Sequence, residues 1–281
     1  MNEAAPEPPS PTPLGAITLT GLAWGVMVLV TVLATPAAGG TLGLALGTAL
    51  GLGGVATLAA RAIPAPAERR IGLSGFAPRL VLPVVLLVPS VLLASELDNW
   101  IASFFPEAKD SVTWNPESSL LAAFELVLFA VLLRPVLEEF FFRGVVQQGV
   151  VAALGPGRGV ALTAVLFGLV RASFGVGDEY RALTLGAQAL FDGLLLGALR
   201  LASGSILPSI LLQMLAGGVG LFAVAAKEWL PIAGFNAGGD HTPPVWLLPA
   251  ALSVALGLTL LARSARSGDA QSGDVGQEVK K

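Results

Sequence analysis

The sequence predicts an all-α integral membrane protein with about eight transmembrane helices. The first observation behind this fold class is composition, because 54% of the 281 residues are hydrophobic and only 12% are charged, whereas soluble domains carry roughly 25% charged residues. The second is the recurrence of apolar runs that are long enough, or nearly long enough, to cross a bilayer. These runs lie at about 15–35, 42–60, 80–96, 118–134, 159–175, 182–199, 205–226 and 244–262.

Each run is expected to form one helix, and two of them have special features. The fourth run continues past Arg134 with no turn signal before Gly155, so it predicts a single helix of about 35 residues, roughly 50 Å long. The third run is short and contains Pro83 and Pro89, so we expect a kink there. Closely spaced small residues predict tight helix packing rather than a ligand site, at Gly43, Gly47 and Gly51 and again at Gly193 and Gly197.

The chain divides into a polytopic membrane domain, 15–262, and two polar tails. Residues 1–14 are rich in proline and contain no Lys or Arg, so they predict a short disordered tail and not a signal peptide. Residues 263–281 predict a disordered polar C-terminal tail. Basic residues concentrate in alternate connections, which places both termini in the cytoplasm of a cell (inner, cytoplasmic) membrane. They are Arg61, Arg69, Arg70, Arg79, Arg158, Arg200, Arg263, Arg266, Lys280 and Lys281.

Composition also excludes several classes of function. The absence of cysteine excludes disulfides, thiol catalysis and cysteine-ligated metal. The single histidine, His241, stands in a polar loop where we expect it to be solvated, and one histidine argues against a zinc site. The net charge of -3 without a basic face argues against a nucleic-acid partner. We therefore expect no metal and no cofactor, with membrane lipid as the surroundings.

The stretch R-P-V-L-E-E-F-F-F-R-G, residues 134–144, places four charges inside an apolar chain. Charged side chains at bilayer depth are costly and usually mark a site. Glu139 and Arg143 have the i,i+4 spacing in the better orientation for pairing, and Arg134 and Glu138 have it in reverse order. The four charges could simply neutralise one another. Against this, adjacent helical residues point about 100° apart, so one set of partners cannot serve both glutamates.

Counting from shared turns predicts which other polar residues lie at the same depth. Glu138 stands about 17 residues before Gly155, and Arg171 stands about 14–16 residues after that turn. Asp192 stands about eight residues before Arg200, and Gln213 stands about eight or nine after Gly204. We therefore expect Glu138, Glu139, Arg171, Asp192 and Gln213 to converge on one buried site that opens to the cytoplasmic half.

The run R-P-V-L-E-E-F-F-F-R-G-V-V-Q resembles the first motif, E-E-x-x-x-R, of the CPBP family. Members are also called Abi proteins or type II CAAX prenyl proteases. The resemblance covers about 85–225 and includes F-G-L-V at 167–170 and G-S-I-L-P-S-I-L-L at 204–212. It implies an eight-helix bundle and a glutamic endopeptidase. In the family, a glutamate of the first motif activates water, and histidines of the second and third motifs complete the site with an asparagine.

This sequence departs from the family pattern at those later motifs. Arg171 stands where the second motif has histidine, and Gln213 and Gly217 stand where the third has histidine and asparagine. Arginine keeps its proton, and its fixed charge favours an ionised Glu138, which is then a weaker base. The preferred hypothesis is therefore a family member with lost or altered catalysis. It would bind a transmembrane or lipidated peptide or a partner protein, or regulate an active paralogue.

Two other hypotheses stay open. The first is an active intramembrane endopeptidase with Glu138 as base, Arg143 positioning it, and Arg171 and Gln213 donating hydrogen bonds to an oxyanion. Its substrate would be a prenylated, bacteriocin-type or C-terminal sorting-signal peptide. The second is a transporter, although the sequence shows no convincing internal repeat. The candidate catalytic residues are Glu138, Glu139, Arg143, Arg171 and Gln213, and the roles of Asp192 and His241 stay open.

Overall fold

The computed structural model describes residues 10–105 and 120–278, and these contain no β-strand beyond one isolated bridge between Ala233 and Ala237. Eight long helices run through the two ranges. They are α1 (Pro13–Ala38), α2 (Gly40–Ala60), α3 (Pro78–Ala102), α4 (120–154), α5 (Pro156–Ala172), α6 (Glu179–Ser203), α7 (Leu207–Ala226) and α8 (Pro244–Glu278). A short helix, Ala67–Ile71, lies in the connection between α2 and α3.

Seven of these helices, counted over the described ranges, are long and apolar enough to cross a membrane. The eighth, α4, is the long helix that the sequence predicted, and it carries the charged stretch. The protein is thus an all-α integral membrane protein with about eight helices, and the predicted fold class is confirmed.

Helix α4 is not uniform along its length. Segments Leu128–Leu133 and Phe140–Val146 are π-helical, and the α-helical segment Arg134–Glu139 lies between them. Such π segments are rare in α-helices overall, and where they occur they often lie at functional sites. Here they bracket the two adjacent glutamates.

Helix α3 is interrupted where the sequence predicted a kink, and it is longer than predicted. Its regular α-helical hydrogen bonding is interrupted between Leu87 and Ser90, around Pro89. The helix continues to Ala102, beyond the expected end near residue 96. The predicted end was too early because the polar side chains of Glu96 and Asn99 have partners in the segment 234–242. Asn99 Nδ2 donates to the Gly234 carbonyl at 2.7 Å, and Glu96 Oε2 accepts from the Thr242 backbone N–H at 2.8 Å.

The glycines pack helices together as predicted. A methyl group on Gly51 would lie 2.6 Å from the Ala23 carbonyl oxygen of α1, so only glycine permits this approach of α1 and α2. On α6, a methyl group on Gly193 would lie 2.9 Å from Ala164 Cα of α5. The pair α5 and α6 forms one wall of the site described below.

The connection 61–77 is fastened to the turn between α6 and α7. The Arg200 guanidinium donates to the Arg70 carbonyl at 2.8 Å, and the Ser205 hydroxyl donates to the Ser74 carbonyl at 2.6 Å. The Ile206 N–H donates to the Gly72 carbonyl at 2.9 Å. Together they cover the end of the bundle at which α4 and α6 terminate and α5 and α7 begin.

Most of the predicted N-terminal tail lies outside the described residues. At the other end, the apolar part of α8 is Pro244–Ala265, close to the predicted end of the membrane domain at 262, and the helix itself ends at Glu278. The division into one membrane domain and two tails stays a prediction, as does the orientation in the membrane.

Candidate functional site

Glu138 lies on the α-helical segment of α4 and faces two arginines. Its Oε1 atom is 3.4 Å from Nη1 of Arg171 on α5 and 3.6 Å from Nε of Arg134, one turn earlier on α4. The glutamate side chain is 6% exposed, whereas Arg171 and Arg134 are 21% and 30% exposed. The contact between Glu138 and Arg171 that residue counting predicted is therefore present.

Glu139 has a separate set of partners and is fully buried. Its Oε1 atom lies 2.8 Å from Nη1 of Arg143 and accepts a hydrogen bond from Nε2 of Gln213, on α7, at 2.5 Å. This is the division of partners expected for adjacent residues about 100° apart on a helix. Gln213 thus bonds to Glu139, whereas Arg171 pairs with Glu138.

Arg143 joins α4 to α5 and α6 while it pairs with Glu139. Its guanidinium carbon lies 4.7 Å from the centre of the Phe167 ring, and Nη2 donates to the Gly193 carbonyl at 3.3 Å. One turn later, Gln147 Nε2 donates to the Gly197 carbonyl at 3.0 Å. Both side chains are buried, so they hold α4 against α6 behind the site. The sequence analysis did not include Gln147 among the site residues. The signal was available, because Gln147 follows Arg143 by four residues as Gly197 follows Gly193.

Asp192 on α6 adds a third acidic group. Within the described ranges it forms no hydrogen bond and no ion pair, but it lies in the electrostatic field of Arg134, Arg143 and Arg171. Three acidic side chains thus face three arginines, and their formal charges cancel. Balanced sets of this kind are how ionisable groups are tolerated at bilayer depth.

A cavity of about 280 Å³ contains most of these groups. It lies among helices α3 to α7, and its polar lining is Ser90, Arg134, Glu138, Arg171, Gln188, Asp192 and Gln213. Its apolar lining includes Phe167, Leu196 and Leu212. Ser90 and Gln188 are residues that sequence analysis did not find, because counting along a helix gives depth but not the direction that a side chain faces.

A second cavity of about 310 Å³ lies toward α1 and α2. Arg134, Glu138 and Arg171 line it as well, so their ion pairs form the partition between the two cavities. The remaining lining is mainly apolar, with Phe129 and Phe174 among it, and Arg181 is a further basic group there.

The second oxygen of each glutamate is buried and accepts no hydrogen bond from any described protein group. This holds for Glu138 Oε2 and for Glu139 Oε2. A buried carboxylate oxygen without a donor is costly. Glu138 lines the cavity, and its Oε2 atom itself is buried within that lining.

His241 lies away from this cavity, in the segment between α7 and α8. Its Nδ1 atom is 2.7 Å from Glu96 Oε1, and its ring centre is 5.2 Å from that of Trp100. The side chain is 45% exposed, so the expected loop position is correct, but the histidine fastens the loop to α3 rather than standing free. Over the described ranges, no group of three or more His, Cys, Asp or Glu side chains is placed to hold a metal ion.

Comparison with known proteins gives one family match. The model of the family described as type II CAAX prenyl endopeptidase, Rce1-like, matches residues 120–219, from the start of α4 into α7. No curated protein and no solved structure matches the chain. The matched region contains every candidate catalytic residue and most of the cavity lining.

Proposed function

This integral membrane protein belongs to the CPBP family, the type II CAAX prenyl endopeptidases, through residues 120–219, and we propose that it binds a peptide segment without cutting it. The observation that carries the proposal is the position of the Glu138 carboxylate between the guanidinium groups of Arg171 and Arg134. In this family, Glu138 corresponds to a glutamate of the first motif, which activates water.

The chemistry of the partners supports a binding role. A general base must take a proton and pass it on, and a neighbouring group that can exchange protons assists this. Arginine does not release its proton in proteins, so Arg171 and Arg134 cannot share one with Glu138. Glutamine does not titrate either, so Gln213 cannot relay a proton from Glu139. Both glutamates are therefore held in ion pairs and hydrogen bonds with groups that cannot relay a proton.

The same groups suit a peptide backbone. Arg134 and Arg171 are partly exposed and line the cavity as hydrogen-bond donors, and the Glu138 carboxylate lines the same cavity as an acceptor. An extended peptide presents both C=O and N–H groups and needs partners for both when it leaves water. The cavity volume of about 280 Å³ is at the lower end for ligand sites, roughly 300–1,000 Å³, so it suits a short segment and not a whole helix.

A second candidate function, an active endopeptidase, has one observation in its favour. Glu138 lines the cavity, and Arg171 and Gln213 line the same cavity as hydrogen-bond donors. In that mechanism, Glu138 would take a proton from water and the two donors would stabilise the developing oxyanion. The ion pairs of Glu138 weigh against it, because neither arginine can take over the proton that Glu138 would remove from water.

Restoring the family residues tests the proposal. We expect the variant Arg171→His, Gln213→His, Gly217→Asn to stay folded in detergent and to gain cleavage of a fluorogenic peptide library. A Cβ atom at position 217 would meet its nearest neighbours in Ala130 and Val131 at 3.8 Å, an ordinary contact, so the third change fits locally. Addition of Glu138→Ala should abolish the gained activity.

Peptide retention is measured in parallel, by crosslinking the same library to the purified parent. Glu138→Ala should reduce retention, whereas Glu228→Ala, an exposed glutamate outside the cavity, should not. A folded triple variant without cleavage, or a parent that retains no peptide, would contradict the proposal.

A further inference from the structure

The lining of the Glu138 cavity changes from buried to exposed in one consistent direction. On α4, Glu138 is buried and Arg134, one turn nearer residue 120, is partly exposed. On α5, Phe167 is buried and Arg171, one turn nearer Gly175, is partly exposed. Because α4 and α5 are antiparallel neighbours joined at Gly155, both changes point toward the same end of the bundle.

Helices α6 and α7 show the same change from buried to more exposed lining residues. On α6, Leu196 is buried, and Gln188, two turns nearer Glu179, is half-buried. On α7, Leu212 is buried, and Gly217 and Gly220, nearer Ala226, are half-buried. Among the described residues, the cavity is thus more open toward the bundle end formed by the start of α4 and α6 and the finish of α5 and α7, although Ser90 on α3 and Ala189 on α6 stay buried.

The opposite end is closed by side chains. On the part of α4 that follows Glu138, five apolar side chains are fully buried, namely Phe141, Phe142, Val145, Val146 and Val150. Leu196 and Leu212, which form the cavity floor, continue into a core with Leu80, Val84, Leu87 and Leu199. These apolar layers separate the cavity from the connection 61–77.

Backbone contacts reinforce the closure. The connection 61–77 is bonded to the turn between α6 and α7, as described above, and Ile71 lies against Gly144 of α4. The N-terminal segment adds to it, because Pro11 lies so close to Gly149 that a side chain there would overlap it. Gln148 also donates to the Ser10 carbonyl.

Charge distinguishes the two ends. The closed end carries the basic connections, with Arg61, Arg69, Arg70, Arg79, Arg158 and Arg200. The open end carries mainly acidic residues among those described, namely Glu96, Asp98, Asp178, Glu179 and Glu228, together with Arg181 and Lys227. Short connections rich in Lys and Arg stay in the cytoplasm. The closed end is therefore assigned to the cytoplasmic side.

From these two observations we propose that the Glu138 cavity is entered from the non-cytoplasmic face of the membrane. This inference rests on the proposed function and narrows the ligand to a polypeptide segment exposed on that face, rather than a lipidated tail presented from the cytoplasm. It replaces the expectation that the site opens to the cytoplasmic half. Counting from the basic turns predicted the contact between Glu138 and Arg171 but carried no information on which end of the cavity is closed.

Cysteine labelling tests the direction of entry, since the chain contains no cysteine and each introduced thiol is the sole target. The test positions are Leu185 and Ala216, which line the cavity and lie outside the charged cluster. The variants Leu185→Cys and Ala216→Cys are treated in whole cells and in inverted membrane vesicles with a membrane-impermeant maleimide. A permeant maleimide after denaturation confirms that the thiol is present.

Three matched controls calibrate the result. Ser74→Cys lies in the connection at the closed end, and Gly238→Cys lies in the exposed loop at the open end. Leu183→Cys is two residues from Leu185 on α6 but lies on the outer surface of the bundle, so it should react poorly from either side because lipid keeps the thiol from ionising.

We expect Leu185→Cys and Ala216→Cys to be labelled in whole cells like Gly238→Cys and to lose labelling in inverted vesicles, where Ser74→Cys reacts. Labelling only in inverted vesicles, equal labelling in both, or none in either would overturn the inference. None of these outcomes depends on peptide binding or cleavage. Failure of this inference and failure of the proposed function are therefore distinguishable.

Discussion

Glu138 and Glu139 are neighbours in the chain but have different surroundings. Glu138 shares its charge with two partly exposed arginines at the cavity, at 3.4 and 3.6 Å. Glu139 is fully buried, with Arg143 at 2.8 Å. Because a buried charge depends on its partner far more than an exposed one, the two pairs should differ in what they contribute to stability.

We predict that Arg143→Ala lowers the free energy of unfolding by about 3–5 kcal/mol, because it leaves Glu139 buried without its cation. The matched change Arg134→Ala should cost about 1 kcal/mol or less, since that side chain is partly exposed and 3.6 Å from its partner. Thermal and chemical unfolding in the same detergent measures both. Similar losses for the two variants would show that Arg143 is not the anchor described here.

Single-residue contacts were predictable only where chain geometry determines them. The i,i+4 spacing predicted Glu139 with Arg143, and counting from Gly155 predicted Glu138 with Arg171. Gln147 and Gln188 were missed because their partners are backbone carbonyls, of Gly197 and Ala94, on other helices. Contacts of this kind depend on the rotation of each helix about its axis, which a hydropathy pattern this uniform does not define.

Among the helices, α4 shows how tertiary contacts override local preference. Its π-helical segments, Leu128–Leu133 and Phe140–Val146, have no distinguishing composition, so the sequence predicted one regular helix. The second segment contains Arg143 and precedes Gln147, the two side chains that bind carbonyls of α6. The helix length was predictable from the absence of a turn signal, whereas its local winding was not.

Close contact between α5 and α6 should depend on Gly193. We predict that Gly193→Ala destabilises the protein by about 1–3 kcal/mol, because the added methyl group would lie 2.9 Å from Ala164 Cα and must displace backbone. Gly218→Ala on α7 is the matched control, since nothing lies within 4 Å of its added methyl group. Equal melting temperatures for both variants would contradict this account of the α5–α6 contact.

The carboxylate of Glu96 makes several of the contacts that hold the segment between α7 and α8 to α3. Glu96 accepts from Asn99 Nδ2 at 2.9 Å and from the Thr242 N–H at 2.8 Å, and it lies 2.7 Å from His241 Nδ1. We predict that Glu96→Ala speeds amide hydrogen exchange across 234–242, whereas Glu228→Ala, an exposed glutamate, leaves it unchanged. Unchanged exchange in Glu96→Ala would show that other contacts hold this segment.

On the scale of the whole molecule, the fold class followed from the sequence because lipid imposes a simple length and polarity requirement on each helix. Helix ends were less predictable. The apolar run ends near residue 96, but the polar side chains of Glu96 and Asn99 have partners in the segment 234–242, so α3 extends to Ala102. Hydropathy counts polar residues and takes no account of their partners.

The orientation of the bundle is open to direct test. The basic connections predict both termini in the cytoplasm, so a topology reporter fused after Ser267 should be inside and one fused after Ser111 should be outside. Alkaline phosphatase and a fluorescent protein, active on opposite sides, provide paired readouts. Finding both fusion points on one side of the membrane would refute the eight-span arrangement.

The central proposal is that this protein, which matches a peptidase-family model over residues 120–219, binds a peptide without cutting it. Activity of the unmodified protein tests this proposal most directly. Purified parent and Glu138→Ala are incubated with the same peptide library, and cleavage products are quantified by mass spectrometry. Because Arg171 and Arg134 hold Glu138 as an ion pair, we predict no cleavage above the level of Glu138→Ala. Robust cleavage by the parent that disappears in Glu138→Ala would show that the enzyme kept its chemistry and would contradict the account.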